Sequence, residues 1–108
     1  MPNTVLLTDS ATRDLEELYN YISKNDSPEN ADRVLNKIEK SITKLSEFPE
    51  RGAYPPELSS LGIKEYREIF FKPYRIIYRV ISNKVYIYLV VDGRRDMQTL
   101  LSRRLLES

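Results

Sequence analysis

The sequence predicts a single α+β domain with the order β-α-α-β-β-β, a helical hairpin packed on a small antiparallel sheet, and a short C-terminal helix. Three observations carry this. Two long stretches between residues 9 and 46 place apolar residues at helical spacing. Three β-branched and aromatic runs between residues 63 and 91 are separated by only two or three residues. The whole chain is 108 residues, one domain's worth (1–108), enough to bury a core without staples.

The elements follow in order. Thr4 to Thr8 (TVLLT) is short, apolar and β-branched, and reads as a strand. In the next segment Asp9 or Ser10 is suited to cap a helix, and Leu15, Leu18, Tyr19 and Ile22 recur at its period. Ser27 and Pro28 supply an N-cap and a first helical residue for a second helix. Its stripe is Ala31, Val34, Leu35, Ile38, Ile42 and Leu45, and Pro49 and Gly52 end it. So short a connection makes the pair an antiparallel hairpin. Residues 49–62 form a loop, with one helical turn around Glu57 to Leu61. Strands are predicted at Ile63–Phe71, Tyr74–Ile81 and Val85–Val91, joined as a meander. Asp92–Asp96 is a turn, and Met97, Leu100, Leu101 and Leu105 line one side of a terminal helix.

Side-chain alternation divides the middle strand. Tyr74, Ile76, Tyr78 and Val80 share one face, which the helices should cover; Arg75, Ile77, Arg79 and Ile81 share the other, expected to be open to solvent. Two arginines on one face of a strand call for a partner. With Arg67 on the preceding strand and Arg94 and Arg95 after the last, five guanidiniums are expected to converge, since neighbouring strands lie about 4.8 Å apart. Against them stand Glu65, Glu68, Asp92 and Asp96, four acids for five arginines. Facing outward, Arg75 and Arg95 are expected to matter for activity rather than for folding.

Composition narrows the chemistry. The net charge is +1, but residues 1–60 carry 7 Lys/Arg against 11 Asp/Glu, and residues 61–108 carry 10 against 5. Seven of those ten cations are Arg, the residue for planar contact with carboxylate or phosphate. The asymmetry points to an acidic partner for the second half. The chain has no Cys and no His, which removes cysteine zinc sites and the commonest general base. There is no Gly-rich phosphate loop. Glu16 and Glu17 read as a solvated helix face. Tyr66, Tyr74, Tyr78, Tyr86 and Tyr88 have the type to stack on bases, but tyrosine is also a good strand former. No apolar run reaches the length of a membrane span, and the N-terminus lacks the basic region of a signal peptide, so a cytoplasmic domain is expected.

Three pieces in this order resemble the RelE/ParE superfamily, toxins of type II toxin–antitoxin pairs. The run DLEELYNYIS with SPENADRVLNKIEKSITKLSEFPERG is similar to the ParE-type helical hairpin and its exit. YRIIYRV resembles the central strand, and VDGRRDM the turn after the last strand, where many ParE relatives have His-Gly-x-Arg-Asp. The resemblance spans nearly the whole chain. It implies either a ribosome-dependent, metal-independent mRNA endonuclease (RelE-like) or an inhibitor of DNA gyrase that is not a nuclease (ParE-like). A degenerate member that only binds a partner is the third reading. No cofactor is implied. A cognate antitoxin with an acidic C-terminal segment is, added as a strand or seated as a helix in a groove.

By the same resemblance, Arg75 and Arg95 look like arginines that RelE-like enzymes use on the phosphate, and Arg67 falls near a basic position. Two departures weigh against cleavage. Leu101 stands where a RelE-type site has a C-terminal Tyr, and Asp92 where many ParE relatives have His. Arginine stays protonated and is a poor acid or base. The remaining set (Arg67, Arg75, Arg79, Arg94, Arg95) suits target or antitoxin binding, and the balance tips to the ParE-like reading.

Overall fold

The computed structural model describes residues 3–107. Its strands are β1 (Thr4–Leu7), β2 (Tyr66–Phe71), β3 (Tyr74–Ile81) and β4 (Lys84–Asp92). Its helices are α1 (Asp9–Asn25), α2 (Pro28–Thr43), α3 (Pro56–Ser59) and α4 (Met97–Leu101). A 3₁₀ turn, Lys44–Ser46, extends α2, and a π-helical turn, Ser102–Leu106, extends α4. The α+β architecture is the expected one. Among the described residues no helix is long and apolar enough to cross a membrane.

Local chemistry sets the helices. The cap of α1 is Thr8, one residue before the expected Asp9, and its hydroxyl accepts from the Ala11 N–H at 3.1 Å. Ser27 caps α2 by accepting from the Asn30 N–H at 3.0 Å, with Pro28 as first helical residue. The stripes fall inward as their spacing requires: Ile22, Ala31, Val34, Ile38, Ile42 and Leu45 are buried, and Leu15, Leu18, Tyr19 and Leu35 pack around them. Removing each such aliphatic side chain from water contributes roughly 1.5–3 kcal/mol.

The sheet order is β1-β4-β3-β2. β2, β3 and β4 form the expected antiparallel meander. β1 joins it in parallel with β4, Thr4 opposite Lys84 and Leu7 opposite Ile87, so the sheet is mixed. The two connecting helices make this possible, because a parallel neighbour needs a crossover. β2 begins at Tyr66, three residues later than its composition suggested. A bulge at Tyr88 on β4, between the Ile77–Leu89 and Tyr78–Ile87 pairs, flips the alternation. Hence Val85, Ile87 and Val90 lie on the helical-hairpin face, while Leu89 and Val91 lie on the other.

That other face is not open, contrary to the sequence expectation. Leu58 of α3 and Met97, Leu100 and Leu101 of α4 bury Ile77, Leu89 and Val91 in a second core. The one-turn α3 and the short α4 together cover it.

Candidate functional site

The five arginines do not converge. Arg67 pairs opposite Tyr78 and so lies on the helical-hairpin face, away from Arg75 and Arg79. It donates to the carbonyls of Glu50 (3.2 Å) and Gly52 (2.8 Å) and to the Tyr54 hydroxyl (3.2 Å), and its guanidinium lies 4.7 Å from the Tyr54 ring centroid. It staples the loop after the helical hairpin onto β2. Arg75 and Arg79 do share a face, but four residues of strand separate them by about 13 Å.

Arg75 is the largest departure from expectation. It is 8% exposed and not solvent-facing. Its Nε donates to Glu68 Oε1 at 2.7 Å, and its terminal nitrogens grip both oxygens of Glu57 at 2.8 Å each. That is the bidentate fork an arginine offers to a carboxylate or a phosphate, already filled from within the chain. Glu68 is 3% exposed. Burial pushes its carboxyl above the ordinary range, with Arg75 pulling it back. Glu57 goes the other way: its hydrogen bonds from Arg75 hold it below the ordinary value. Hydrogen bonding to Glu57, then to Glu68, keeps Arg75 charged despite its burial.

Gly93 completes this arrangement. A Cβ there would come within 2.6 Å and 2.8 Å of the Arg75 side-chain carbons, so the glycine of the Asp-Gly-Arg-Arg turn is where the Arg75 stem passes. Gly52 is under the same kind of constraint: a Cβ would meet the Tyr78 hydroxyl at 2.6 Å. Its N–H donates to that hydroxyl at 3.0 Å.

The other arginines are more accessible. Arg79 is half-buried, with its guanidinium 5.9 Å from the Tyr66 ring centroid. Tyr66 in turn meets Tyr88 edge-on at 5.5 Å. Arg94 is exposed and closed onto Asp92 (2.6 Å), which lowers the Asp92 carboxyl through that hydrogen bond. Arg95 is exposed, and among the described residues no carboxylate pairs with it. Arg79 too has no carboxylate partner among the described residues, but it is half-buried against Tyr66, whereas the Arg95 guanidinium is exposed.

Beside Arg95 lies a groove of about 370 Å³ between α1 and the Asp92 end of β3 and β4. Leu18, Tyr21, Tyr74 and Val90 form its apolar walls, with Glu17 and Arg95 among its charged lining. Asp14, at its base, is committed elsewhere: it accepts from the Val90 N–H (3.1 Å) and from Arg104 through both oxygens (3.1 and 3.0 Å). The groove can seat an apolar side chain and offer one free cation beside it. Of the tyrosines proposed to stack on bases, Tyr78 and Tyr66 are buried, and Tyr74, Tyr86 and Tyr88 are half-buried.

Sequence reasoning missed Glu57, Asp14 and Arg104 as partners, and treated Glu68 as one of several surface acids. A signal for Glu68 was present. A two-residue connection at Lys72-Pro73 pairs Phe71 with Tyr74 and Phe70 with Arg75, and alternation then puts Glu68 on the Arg75 face. Glu57 sits 18 residues from Arg75 in the one-turn α3, and no periodicity connects them.

Comparison with known proteins bears on the same residues. The family described as ParE toxin of the type II toxin–antitoxin system parDE matches residues 5–97. Toxin ParE3 of Caulobacter vibrioides is 27% identical over 100 residues, 93% of this chain and 96% of that protein. Among solved structures, the chromosomal ParDE system of P. aeruginosa superposes with TM-score 0.70 at 20% identity, covering 83% of this chain and 95% of that one. The RelBE2 toxin–antitoxin complex of Mycobacterium tuberculosis gives 0.61 at 23%, covering 85% and 92%. A free arginine-to-alanine mutant of E. coli toxin RelE gives 0.64 at 17%, covering 97% and 100%. The structural likenesses establish the fold, which ParE and RelE toxins share; the family match across the hairpin, the meander and the Arg-bearing turn shows that this chain belongs to the ParE toxin family of type II toxin–antitoxin systems.

Proposed function

We propose that this chain is a ParE-like toxin that inhibits DNA gyrase in the cytoplasm and does not cleave RNA. The observation that carries the reading is the occupation of Arg75. A RelE-like role needs that guanidinium on a phosphate, and here Glu57 and Glu68 hold it. A phosphate arriving there would have to displace one carboxylate and sit beside another, which like-charge repulsion opposes. Leu101, at the position of the RelE-type tyrosine, is fully buried among Leu58 and Leu100 and offers no proton. Proton transfer in cleavage needs a group within reach that changes its protonation, and Arg95 alone does not supply one.

The same reading includes a cognate antitoxin. Its acidic, amphipathic C-terminal segment would seat an apolar residue between Tyr21 and Tyr74 and place a carboxylate on Arg95. Association would then slow as salt rises, because the unpaired surface cation steers the encounter.

Induction of the chain in a bacterium lacking the antitoxin tests the class. Filamentation with DNA-damage signalling is the expected result. Codon-positioned mRNA cuts would instead establish the endonuclease reading. Normal growth with folded protein present would leave a degenerate partner-binding member.

A further inference from the structure

The backbone groups along the margins of the sheet are closed in two places and open in a third. β2 is met by Ala53, which exchanges both backbone hydrogen bonds with Glu68 (3.1 and 2.8 Å). β1 is too short to reach the upper half of β4. Side chains take its place there: Asp14 accepts from the Val90 N–H, and Arg104 donates to the Tyr88 carbonyl (3.1 Å). Among the described residues, the outer edge of β1 has no such cover beyond Asn3. Thr4 and Thr8 turn their N–H groups to β4, donating to Asn83 (3.1 Å) and Ile87 (3.0 Å). Alternation therefore turns the N–H and C=O of Val5 and Leu7 away from the sheet. Exposed edges are ordinarily guarded by a charge, a proline or a bulge, and Thr4–Thr8 has none of these. Leu6 and Leu7 are 38% and 39% exposed.

We propose that this edge is a self-association site, with two copies joined β1 to β1 in antiparallel register about a two-fold axis through Leu6. The segment Thr-Val-Leu-Leu-Thr is nearly the same read in either direction. In that register Thr4 of one copy faces Thr8 of the other, and Val5 faces Leu7. Antiparallel ladders alternate bonded and non-bonded pairs. Val5 and Leu7 carry the outward groups, so both Val5–Leu7 pairs are the bonded ones, and Leu6 meets Leu6 as the non-bonded pair between them. A slip by one residue would set outward groups against inward ones, and a slip by two would pair Leu7 with Asn3, already bonded to Ser46, or Val5 with Asp9, already helical. The edge ends at Asn3, whose N–H and C=O are already bonded to Ser46 (both 2.8 Å), so Val5 and Leu7 are the residues that offer their groups to a second strand. A groove of about 430 Å³ lined by Val5, Leu7, Leu15 and Ile42 runs along the helix side of the edge and lets Leu7 of both copies be buried. The strand is four residues long, which puts the interface at the low end of the size range and its affinity in the micromolar regime.

Sedimentation equilibrium of the purified chain between about 1 and about 200 µM should show a concentration-dependent dimer. Leu6→Lys sets like charges against each other on the axis and should remain monomeric, with an unchanged melting temperature. Leu6→Glu should do the same alone, and an equimolar mixture of the two variants should restore the dimer as a heterodimer. A wild-type monomer throughout the range would overturn the proposal. So would a dimer that Leu6→Lys leaves intact, or a mixture that stays monomeric. None of these outcomes bears on the toxin reading, which rests on other residues.

Discussion

The two faces of the sheet are covered by different means. On one, α1 and α2 lay down continuous stripes, and the buried set there is apolar apart from the Tyr78 hydroxyl, which Gly52 satisfies. On the other, two helices of four and five residues bring Leu58, Met97, Leu100 and Leu101 onto Ile77 and Leu89, and an Arg–Glu–Glu cluster sits at the margin. The long helices dock chiefly by apolar area, with Asp14 of α1 adding a tie to the Val90 N–H. A one-turn helix exposes too little apolar surface for that, and α3 is held by directional bonds as well: Glu57 to Arg75, and the Gln98 side chain to the Glu57 carbonyl (3.3 Å). Charged groups can therefore serve, in this chain, to fasten a small element to the sheet.

That contrast can be broken most directly at Arg75. Arg75→Ala leaves Glu68 buried without its counter-ion and should cost about 3–5 kcal/mol in chemical denaturation. A melting temperature that does not move would mean that the second face is held by its apolar contacts alone. On the first face Ile38 is fully buried mid-stripe, and Ile38→Ala should cost about 2–5 kcal/mol through the cavity it leaves. An unchanged denaturation midpoint would remove the hairpin stripe as the main core.

A pH series sharpens the comparison, because on the second face a carboxylate with a depressed pKa, that of Glu57, ties α3 to the sheet. Glu57 lies below its ordinary value of 4.5. Its contribution is therefore full above that value and is lost as pH falls through the depressed one. Glu57→Gln should lower stability near neutral pH, and its deficit relative to wild type should shrink as pH falls below 4.5 through the depressed value. A deficit that is constant across the series would show that Glu57 contributes through packing rather than charge. The smallest effect on stability is expected at Arg95. Arg95→Ala should shift stability by no more than about 0.5 kcal/mol and yet slow antitoxin association and weaken toxicity. If toxicity and association are both unchanged, the groove beside Arg95 is not the contact surface.

Much of this was legible from the chain because it rests on short-range rules. Caps, prolines and the 3.6-residue period located α1 and α2, and gaps of two or three residues between β-branched runs located β2, β3 and β4. Alternation put Ile76 and Tyr78 toward the helices, as found. The order of these pieces was enough for the family. What the sequence left undetermined were long-range meetings. The parallel partner of β1, the Tyr88 bulge that flips β4, the second core under α3 and α4, and the capture of Arg75 by Glu57 are each decided by which distant segments meet. The candidate site suffered most from this. Residue type and strand parity set Arg75 and Arg79 on one face, but whether a guanidinium meets solvent, phosphate or a carboxylate depends on what else the fold lays over that face. A charge taken out of water must find a counter-charge wherever the chain can supply one, and only the tertiary structure shows that for Arg75 the supply came from α3 as well as from β2.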